Sequence, residues 1–542
     1  MLNLQFDAGD SLWRQAFCEH AKRHWSIYVI GTLYFLTRLP LLNSDLPPYS
    51  VLLYQPIDEA YYALPSYEWL LTLRAGWEHY PINLFQNFVL YPLLAILGPS
   101  YVGMRSSSVA FGLGVFLISY LVLVDRVKIG GTLSILQRNL VYLVCASFLV
   151  FNYAFLYATV VVEPTIAIIF YGVALVYLLT HCTERHYGLW GAALAFGPLF
   201  VYPQTLYMVL GALTAIVLTD VKALHWRNIG KTLVGALIVC AAYGLIVLVL
   251  YPNVWTEFTN NLRYFTAGRV IDPRPYPVWY LAKNFLKTIV GINFFAYSSA
   301  MLTGGIAALI AIVGFVLWRK RRVDLFLACI VLMLFARLGQ LFFESSYFQR
   351  KGVDVSFIVF LLMLEAGVVL LQITTPLMRN VFRRGTSVAW AALLAATTAG
   401  LATHTSASLL IASFKALPGD ANYRTLSDIS RRYAGCDAIG EWSHGFNVFG
   451  TFKTRLNSYR FLREDSYRAY SEQLLQTLKE THGIVISSYP KMTRKVSPDV
   501  RAQLTPIEIF DFNDGGATVS QYAVYRLASD ASVSSGAKTC GK

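Results

Sequence analysis

Two stretches decide the reading of this chain. The first is Trp25-Ser26-Ile27-Tyr28-Val29-Ile30-Gly31-Thr32-Leu33-Tyr34-Phe35-Leu36-Thr37-Arg38-Leu39-Pro40-Leu41-Leu42, and the second is Gln55-Pro56-Ile57-Asp58-Glu59-Ala60-Tyr61-Tyr62. The first is apolar over about the length, roughly 20 residues, that crosses a bilayer as a helix. The second sets two carboxylates just beyond that helix, ahead of an aromatic pair. A carboxylate at the edge of a bilayer gains nothing from burial, and this chain carries only 31 acidic residues against 45 Lys and Arg. Two acids placed together there suggest a chemical task. Asp58 is read as a general base.

Composition extends the membrane reading to most of the chain. Of 542 residues, 56% are hydrophobic, 15% aromatic and 14% charged, and the mean hydropathy is +0.49. Soluble domains carry about a quarter charged residues, so most of this chain must avoid water. Apolar stretches fall near 25–42, 101–124, 139–157, 164–181, 188–202, 203–219, 232–251, 296–318, 324–343, 353–372 and 387–414. The expected fold class is a polytopic α-helical membrane protein of about eleven spans. A shorter apolar segment, 84–98, is read as a helix lying at the outer face.

The formal charge of +14 does not point to nucleic acid. Its basic residues form short clusters between apolar stretches, whereas a phosphate-tracking stripe needs a continuous water-exposed face. Arg14, Lys22 and Arg23 precede the first helix. Later clusters are Arg126, Lys128 and Arg138; Lys222, Arg227 and Lys231; Arg319, Lys320, Arg321 and Arg322; and Arg379, Arg383 and Arg384. These all fall on one side if the first helix enters from the cytoplasm, as the positive-inside rule requires. The departures are the outer segment 252–288, with Arg263, Arg269, Arg274, Lys283 and Lys287, and the outer turn 344–352, with Arg350 and Lys351. They are read either as solvated or head-group-contacting charge or as groups that hold an anionic substrate. The expected location is the inner (plasma) membrane, with a cytoplasmic N-terminus and an extracytoplasmic C-terminus. The polar opening and the absence of a small-residue cleavage site identify the first span as an anchor rather than a cleaved signal.

From residue 415 to 542 the character changes. Asp437–Trp442, Gly483–Ser488 and Gln521–Arg526 read as strands, and 464–481 reads as an amphipathic helix. This predicts two domains, a transmembrane catalytic part over 1–414 and a small extracytoplasmic α/β domain over 415–542. The second contains no phosphate loop, nucleophile elbow or metal motif. It is assigned to support or acceptor recognition. Of seven cysteines, only Cys436 and Cys540 lie in this polar part, where an oxidising compartment would permit a disulfide between them.

Arg38-Leu39-Pro40-Leu41-Leu42 followed by Asp58-Glu59-Ala60-Tyr61-Tyr62 resembles the opening of a family of bacterial integral-membrane glycosyltransferases, that of the protein O-mannosyltransferases and the aminoarabinose transferase of lipid A. His79-Tyr80-Pro81-Ile82 is similar to the family's His-Pro-Pro-Leu element. Leu97-Gly98-Pro99-Ser100 through Met104-Arg105-Ser106-Ser107-Ser108 is similar to its Phe-Gly and Leu-Arg-x-x-Ser element. The match is best over 30–125, looser to 372 and absent from the C-terminal domain. The resemblance implies a GT-C fold, a polyprenyl-phosphate sugar donor, and catalysis at the outer membrane face with Asp58 as base.

The residue chemistry is compatible with that implication. Transfer of a sugar to a hydroxyl needs a base within hydrogen-bond reach of that hydroxyl, and donors where the departing phosphate gathers charge. Glu59 is placed to orient Asp58 or to bind a sugar hydroxyl. Glu163, in Val161-Val162-Glu163-Pro164, either caps the next helix or supplies the second carboxylate that the resemblance implies. Arg350, then Lys351, are the candidates for the leaving phosphate, since Tyr347-Phe348-Gln349-Arg350-Lys351 resembles the family's Arg-Tyr element. Arg105 is a further donor-binding candidate, or else an interfacial anchor. Tyr62, His79 and Gln204 are candidates for sugar or head-group contacts, and Arg38 for pairing with the first-loop acids.

Arg337 and Glu365 are charged residues within apolar spans, where charge is costly; the 1.5 Å helical rise sets them about 10 Å apart in depth, which leaves a mutual salt bridge open. No obligatory cofactor is expected, although Asp58, Glu59 and Glu163 together have the oxygen ligands that a divalent cation takes. The expected partners are a polyprenyl-phosphate sugar donor, membrane lipids, and a glycolipid, polysaccharide or protein acceptor, with no nucleic acid. The rival readings are a flippase or transporter for polyprenyl-linked sugar lipids, and a membrane scaffold. A transporter would place polar groups near the midplane and often repeats its halves; no repeat is visible here. A scaffold leaves the ordered motifs around Asp58 unexplained.

Overall fold

The structure is a computed structural model, and it describes residues 18–43, 83–98, 101–130, 133–181, 186–250, 279, 324–343, 354–381, 429, 432–433, 436, 438–440, 455–457, 466–488, 496–514 and 517–531. These fall into two compact units. One takes in the described residues of 1–39, 77–86 and 108–410, and the other those of 40–76, 87–107 and 411–542.

The helices are α1 (Trp25–Arg38), α2 (Leu84–Leu97), α3 (Tyr101–Gly130), α4 (Ile135–Phe151), α5 (Tyr153–Val160), α6 (Pro164–His181), α7 (Tyr187–Phe196), α8 (Leu206–Thr219), α9 (Trp226–Leu250), α10 (Leu325–Phe343) and α11 (Val355–Val381). Among the described residues, four helical segments are long and apolar enough to cross a membrane: Trp25–Leu42, Val102–Lys128, Pro164–His181 and Trp226–Val249. The others are shorter apolar helices, from Leu84–Leu97 to Phe357–Val369. The expected spans at 296–318 and 387–414 lie outside the described residues.

Local sequence explains the breaks. Ser134 starts α4 with a full capping box: its hydroxyl accepts from the Gln137 amide while the Gln137 side chain accepts from the Ser134 amide. The Asn152 side chain accepts from Phe155 N at 3.0 Å, which ends α4 and opens α5. Pro164 opens α6, where its missing N–H costs nothing. A π-turn at Gly197–Val201 and Pro203 separate α7 from α8.

Packing follows from spacing. In α1 the buried residues are Ser26, Ile30, Tyr34 and Arg38, one every fourth position and therefore one stripe. Ser26 Oγ donates to Asn139 Oδ1 at 2.6 Å and Tyr34 Oη to the Val109 carbonyl at 2.8 Å. That stripe joins α1 to α4 and to α3. Elsewhere backbones touch through glycine: a Cβ at Gly191 would overlap the Thr232 carbonyl, and one at Gly235 the Gly188 carbonyl. Close approach of α7 and α9 thus requires small residues, as between helices in lipid generally. The outward side of α9 is apolar, with Trp226, Leu233, Leu237, Ile238, Leu245 and Val249 all exposed. In water such a face is costly, and against hydrocarbon it is not.

Polar bonds identify one end of this bundle. His181 Nδ1 lies 2.7 Å from Asp125 Oδ2, and Asn139 Nδ2 donates to the Arg23 carbonyl at 3.0 Å. Arg126 donates to Asp324 at 2.9 Å and to Glu365 at 2.6 Å. The Arg337–Glu365 bridge that the sequence left open is not formed. Each of those residues has found another partner, Glu365 in Arg126 and Arg337 in Asp354.

The C-terminal part of the second unit is a mixed sheet ordered β2-β1-β3-β5-β4, made of β1 (Ala438–Gly440), β2 (Arg455–Asn457), β3 (Ile484–Ser488), β4 (Leu504–Asp514) and β5 (Ala517–Leu527). β1 runs parallel to β2 and β3, and β5 runs antiparallel to β3 and β4. The helix α12 (Ser466–Thr481) buries Leu474 and Leu478 in a cluster with Val485, Val500, Leu504, Tyr525 and Leu527. Cys436 is disulfide-bonded, whereas Cys18, Cys145, Cys240 and Cys329 are free. Cys540, its expected partner, lies outside the described residues.

Candidate functional site

Helices of alternating direction place the C-terminal ends of α1, α5 and α10 with the N-terminal ends of α6, α8 and α11, opposite the end that holds Arg126, Asp125 and His181. Four of the candidate residues are described: Arg38, Arg105, Glu163 and Gln204. Asp58, Glu59, Tyr62, His79, Arg350 and Lys351 lie outside the described residues.

Glu163 sits between α5 and α6. Its backbone N–H donates to the Val161 carbonyl at 3.1 Å, so the chain turns tightly before Pro164. The side chain is buried, and Tyr157 Oη approaches its Oε1 at 3.4 Å. The same turn is held from α3, where Ser108 Oγ donates to the Val161 carbonyl at 2.9 Å. A buried carboxylate on a braced turn is a suitable second acid, and the same position serves the first turn of α6.

Four residues earlier, Thr159 receives Arg38. The Arg38 guanidinium donates from Nε to Thr159 Oγ1 at 3.1 Å and from Nη1 to Thr37 Oγ1 at 2.6 Å. Its plane lies against the rings of Tyr34 and Phe155, at 4.9 and 6.0 Å from their centroids. Arg38 is fully buried, and its Nη2 has no hydrogen-bond partner among the described residues. The expected pairing with first-loop acids involves residues outside the described set.

Gln204, expected to touch sugar or head group, belongs to a buried polar knot. Arg337 Nε lies 3.0 Å from Asp354 Oδ2, with the two side chains 0% and 1% exposed. With its amide oxygen turned to Arg337, Gln204 accepts from Nη1 at 3.2 Å and from Nη2. In the opposite orientation its nitrogen donates to Asp354 at 3.3 Å. The Arg337 guanidinium also stacks on Tyr207, 5.2 Å from the ring centroid. Gln204 therefore ties α8 to α10 and α11. Asp354 was missed in the sequence, where its signal was an acid directly ahead of an apolar run and three residues after Lys351.

Arg105 is also buried, and in the second unit. Its Nη1 donates to the Leu42 carbonyl at 3.0 Å and approaches that of Leu41 at 3.5 Å. It clamps the 3₁₀ turn Leu39–Asn43, a structural task in which the guanidinium satisfies carbonyls that the turn leaves open. Among the described residues there is no group of three or more His, Cys, Asp or Glu side chains that could hold a metal ion.

No protein-family model matches the sequence, and no curated protein does. Solved structures do share the fold. One of ArnT from Cupriavidus metallidurans in the apo state has a TM-score of 0.55 at 13% identity, covering 96% of this chain and 99% of that one. A second, of ArnT from the same organism bound to undecaprenyl phosphate, has a TM-score of 0.56 at 13% identity over 93% of this chain and 98% of that one. Over nearly its whole length, the chain is similar in fold to ArnT.

Proposed function

We propose that this protein is a membrane glycosyltransferase that moves a sugar from a polyprenyl-phosphate donor to an acceptor at the outer face of the inner membrane. The observation that carries the reading is a fold shared along nearly the full chain with ArnT, a protein seen bound to undecaprenyl phosphate. The acid pair Asp58-Glu59 then follows the first helix of a chain with that fold.

In this reading Asp58 accepts the acceptor hydroxyl's proton as the sugar's anomeric carbon passes from phosphate oxygen to hydroxyl oxygen. Glu59 orients it, and Glu163 supplies the second carboxylate. Arg350, with Lys351, stabilises the departing lipid phosphate, where charge develops. A single displacement assisted by one base inverts the anomeric centre. The sugar is a hexose or pentose, and the acceptor is a glycolipid, polysaccharide or protein. Arg263, Arg269, Arg274, Lys283 and Lys287 in the outer segment 252–288 favour an anionic glycolipid. The N-terminus faces the cytoplasm and the C-terminal domain the opposite side. The reaction requires no bound metal, and a chelator leaves it running.

The test is transfer in proteoliposomes from a panel of radiolabelled polyprenyl-phosphate sugars to an envelope extract, comparing wild type with Asp58→Asn and measuring donor binding in parallel. Transfer by wild type, lost in Asp58→Asn with donor binding kept, is the expected result. Equal transfer by both would remove Asp58 from the chemistry. Absence of transfer with every donor, together with movement of lipid between leaflets, would overturn the enzyme reading.

A further inference from the structure

We propose that Arg38 is the positioning cation for the anionic phosphate of the lipid donor, a role that rests on the glycosyltransferase reading. Other arginines inside the same unit meet carboxylates. Arg126 is neutralised by Glu365 and Asp324, and Arg337 by Asp354. Arg38 is as buried as Arg337, yet among the described residues no carboxylate lies within ion-pair distance of it. Its hydrogen bonds go to two neutral hydroxyls, and Nη2 has none among the described residues.

A buried charge without a counter-charge costs several kcal/mol. Such a cost persists where function requires it. The group is also held in place on several sides. Thr159 fixes Nε, Thr37 fixes Nη1, and Tyr34 and Phe155 flank the plane. Its rotamer is thereby set before any ligand arrives, and little entropy is lost when an anion is attracted.

The place is equally informative. Arg38 ends the first helix, on the side of the bundle where Glu163 turns into α6. In low dielectric an uncompensated charge acts over a longer range than a solvated one. The anion it suits is a phosphate monoester or diester at the membrane boundary. A lipid phosphate is favoured over the free ion, because a polyprenyl chain in the bilayer delivers its phosphate to that depth.

The experiment measures binding of undecaprenyl phosphate, of neutral undecaprenol and of inorganic phosphate to the detergent-solubilised full-length protein. Wild type is compared with Arg38→Met, Arg38→Lys and Thr159→Val, each with its melting temperature. For Arg38→Met the expected result is a loss of about tenfold or more in affinity for undecaprenyl phosphate. Undecaprenol binding stays unchanged, and the melting temperature is equal to or above wild type. Arg38→Lys, which keeps the charge, recovers most of the affinity, and Thr159→Val loses roughly threefold.

Unchanged affinity of Arg38→Met for undecaprenyl phosphate would overturn the proposal. Should that variant fail to fold, unchanged affinity for undecaprenyl phosphate in Thr159→Val, which removes the hydroxyl that fixes Arg38 Nε, would do the same. Parallel loss of undecaprenol and undecaprenyl phosphate, with a lower melting temperature, would make Arg38 a structural residue only. Arg38-dependent binding of inorganic phosphate as tight as that of the lipid would overturn the lipid assignment. If wild type bound neither lipid, the glycosyltransferase reading itself would fail, and this proposal with it.

Discussion

Arg126 and Glu365 form a two-pronged ion pair, Nε to Oε2 at 2.8 Å and Nη2 to Oε1 at 2.6 Å, between residues 239 positions apart in the chain. Asp324, one residue before α10, takes a second bond from Nη2 at 2.9 Å. The Phe326 ring lies 4.6 Å below the guanidinium. One arginine thus joins α3, the start of α10 and the middle of α11. Removing one member of such a buried pair leaves an uncompensated charge, typically at a cost of about 3–5 kcal/mol. Glu365→Ala should therefore lower thermal stability far more than Asp324→Ala, whose side chain is 41% exposed. Melting of the two purified variants in detergent checks this, and equal losses would refute it.

The contact of α7 with α9 gives a second prediction. A methyl group at Gly191 meets the Thr232 backbone, and one at Gly235 meets the Gly188 backbone. Neither obstacle is a flexible side chain that can swing aside. Gly191→Val and Gly235→Val should each force the helices apart, with destabilisation of about 1–3 kcal/mol or more. Gly230→Ala is the control, since nothing lies within 4 Å of a Cβ there, and it should melt at or somewhat above wild type because Ala is the better helix former. Expression and melting temperature decide the matter.

Much of this architecture was legible from hydrophobic runs, for a physical reason. In a bilayer each helix satisfies its own backbone, so an apolar helix reveals itself locally; 164–181 is the observed α6, long and apolar enough to cross a membrane, and 324–343 is nearly α10, whose apolar part Leu325–Arg337 is shorter. Side-chain partnership is not local. Arg337 and Glu365 interrupt neighbouring apolar runs, and the sequence left open whether they meet; their partners are Asp354 and, from α3, Arg126. The strand β4 was missed because Pro506, Glu508 and Asp511 break its apolar pattern. Those residues are tolerated because β4 is an edge strand with an irregularity between Pro506 and Glu508. For the site, the sequence marked the braced position of Glu163. It did not reveal that Gln204 is taken up by Arg337 and Asp354.

A pH dependence follows from His24, at the entry to α1. Burial first, then the charges of Arg138, His20 and Arg23, hold its imidazolium pKa below the ordinary value of 6.5. Its Nδ1 lies 2.8 Å from Tyr120 Oη. The fold favours neutral His24, so this contribution to stability is present above pH 6.5 and is lost as pH falls through the lowered value. Wild type should melt at a lower temperature as pH drops below 6.5. His24→Gln should weaken that acid dependence while leaving the neutral-pH value nearly unchanged. Melting curves across pH 5–8 for both proteins would show it, and parallel curves would exclude His24 as the source.

The last prediction separates the two roles open to Glu163. If it only serves the first turn of α6, Glu163→Gln keeps a polar side chain of the same shape beside Tyr157. Activity should then follow stability, with a loss of well under tenfold. If it is the second carboxylate of a transfer site, loss of the charge should lower kcat by about 10–100-fold, within the range seen for groups acting on a proton in the transition state. Donor binding and melting temperature should change little. Combination with Asp58→Asn then sharpens the distinction. Groups acting as a unit are non-additive, so the double variant should be barely worse than Asp58→Asn alone. Fully multiplied losses would mean that the two carboxylates act independently, and Glu163 would return to its place as a helix-end residue.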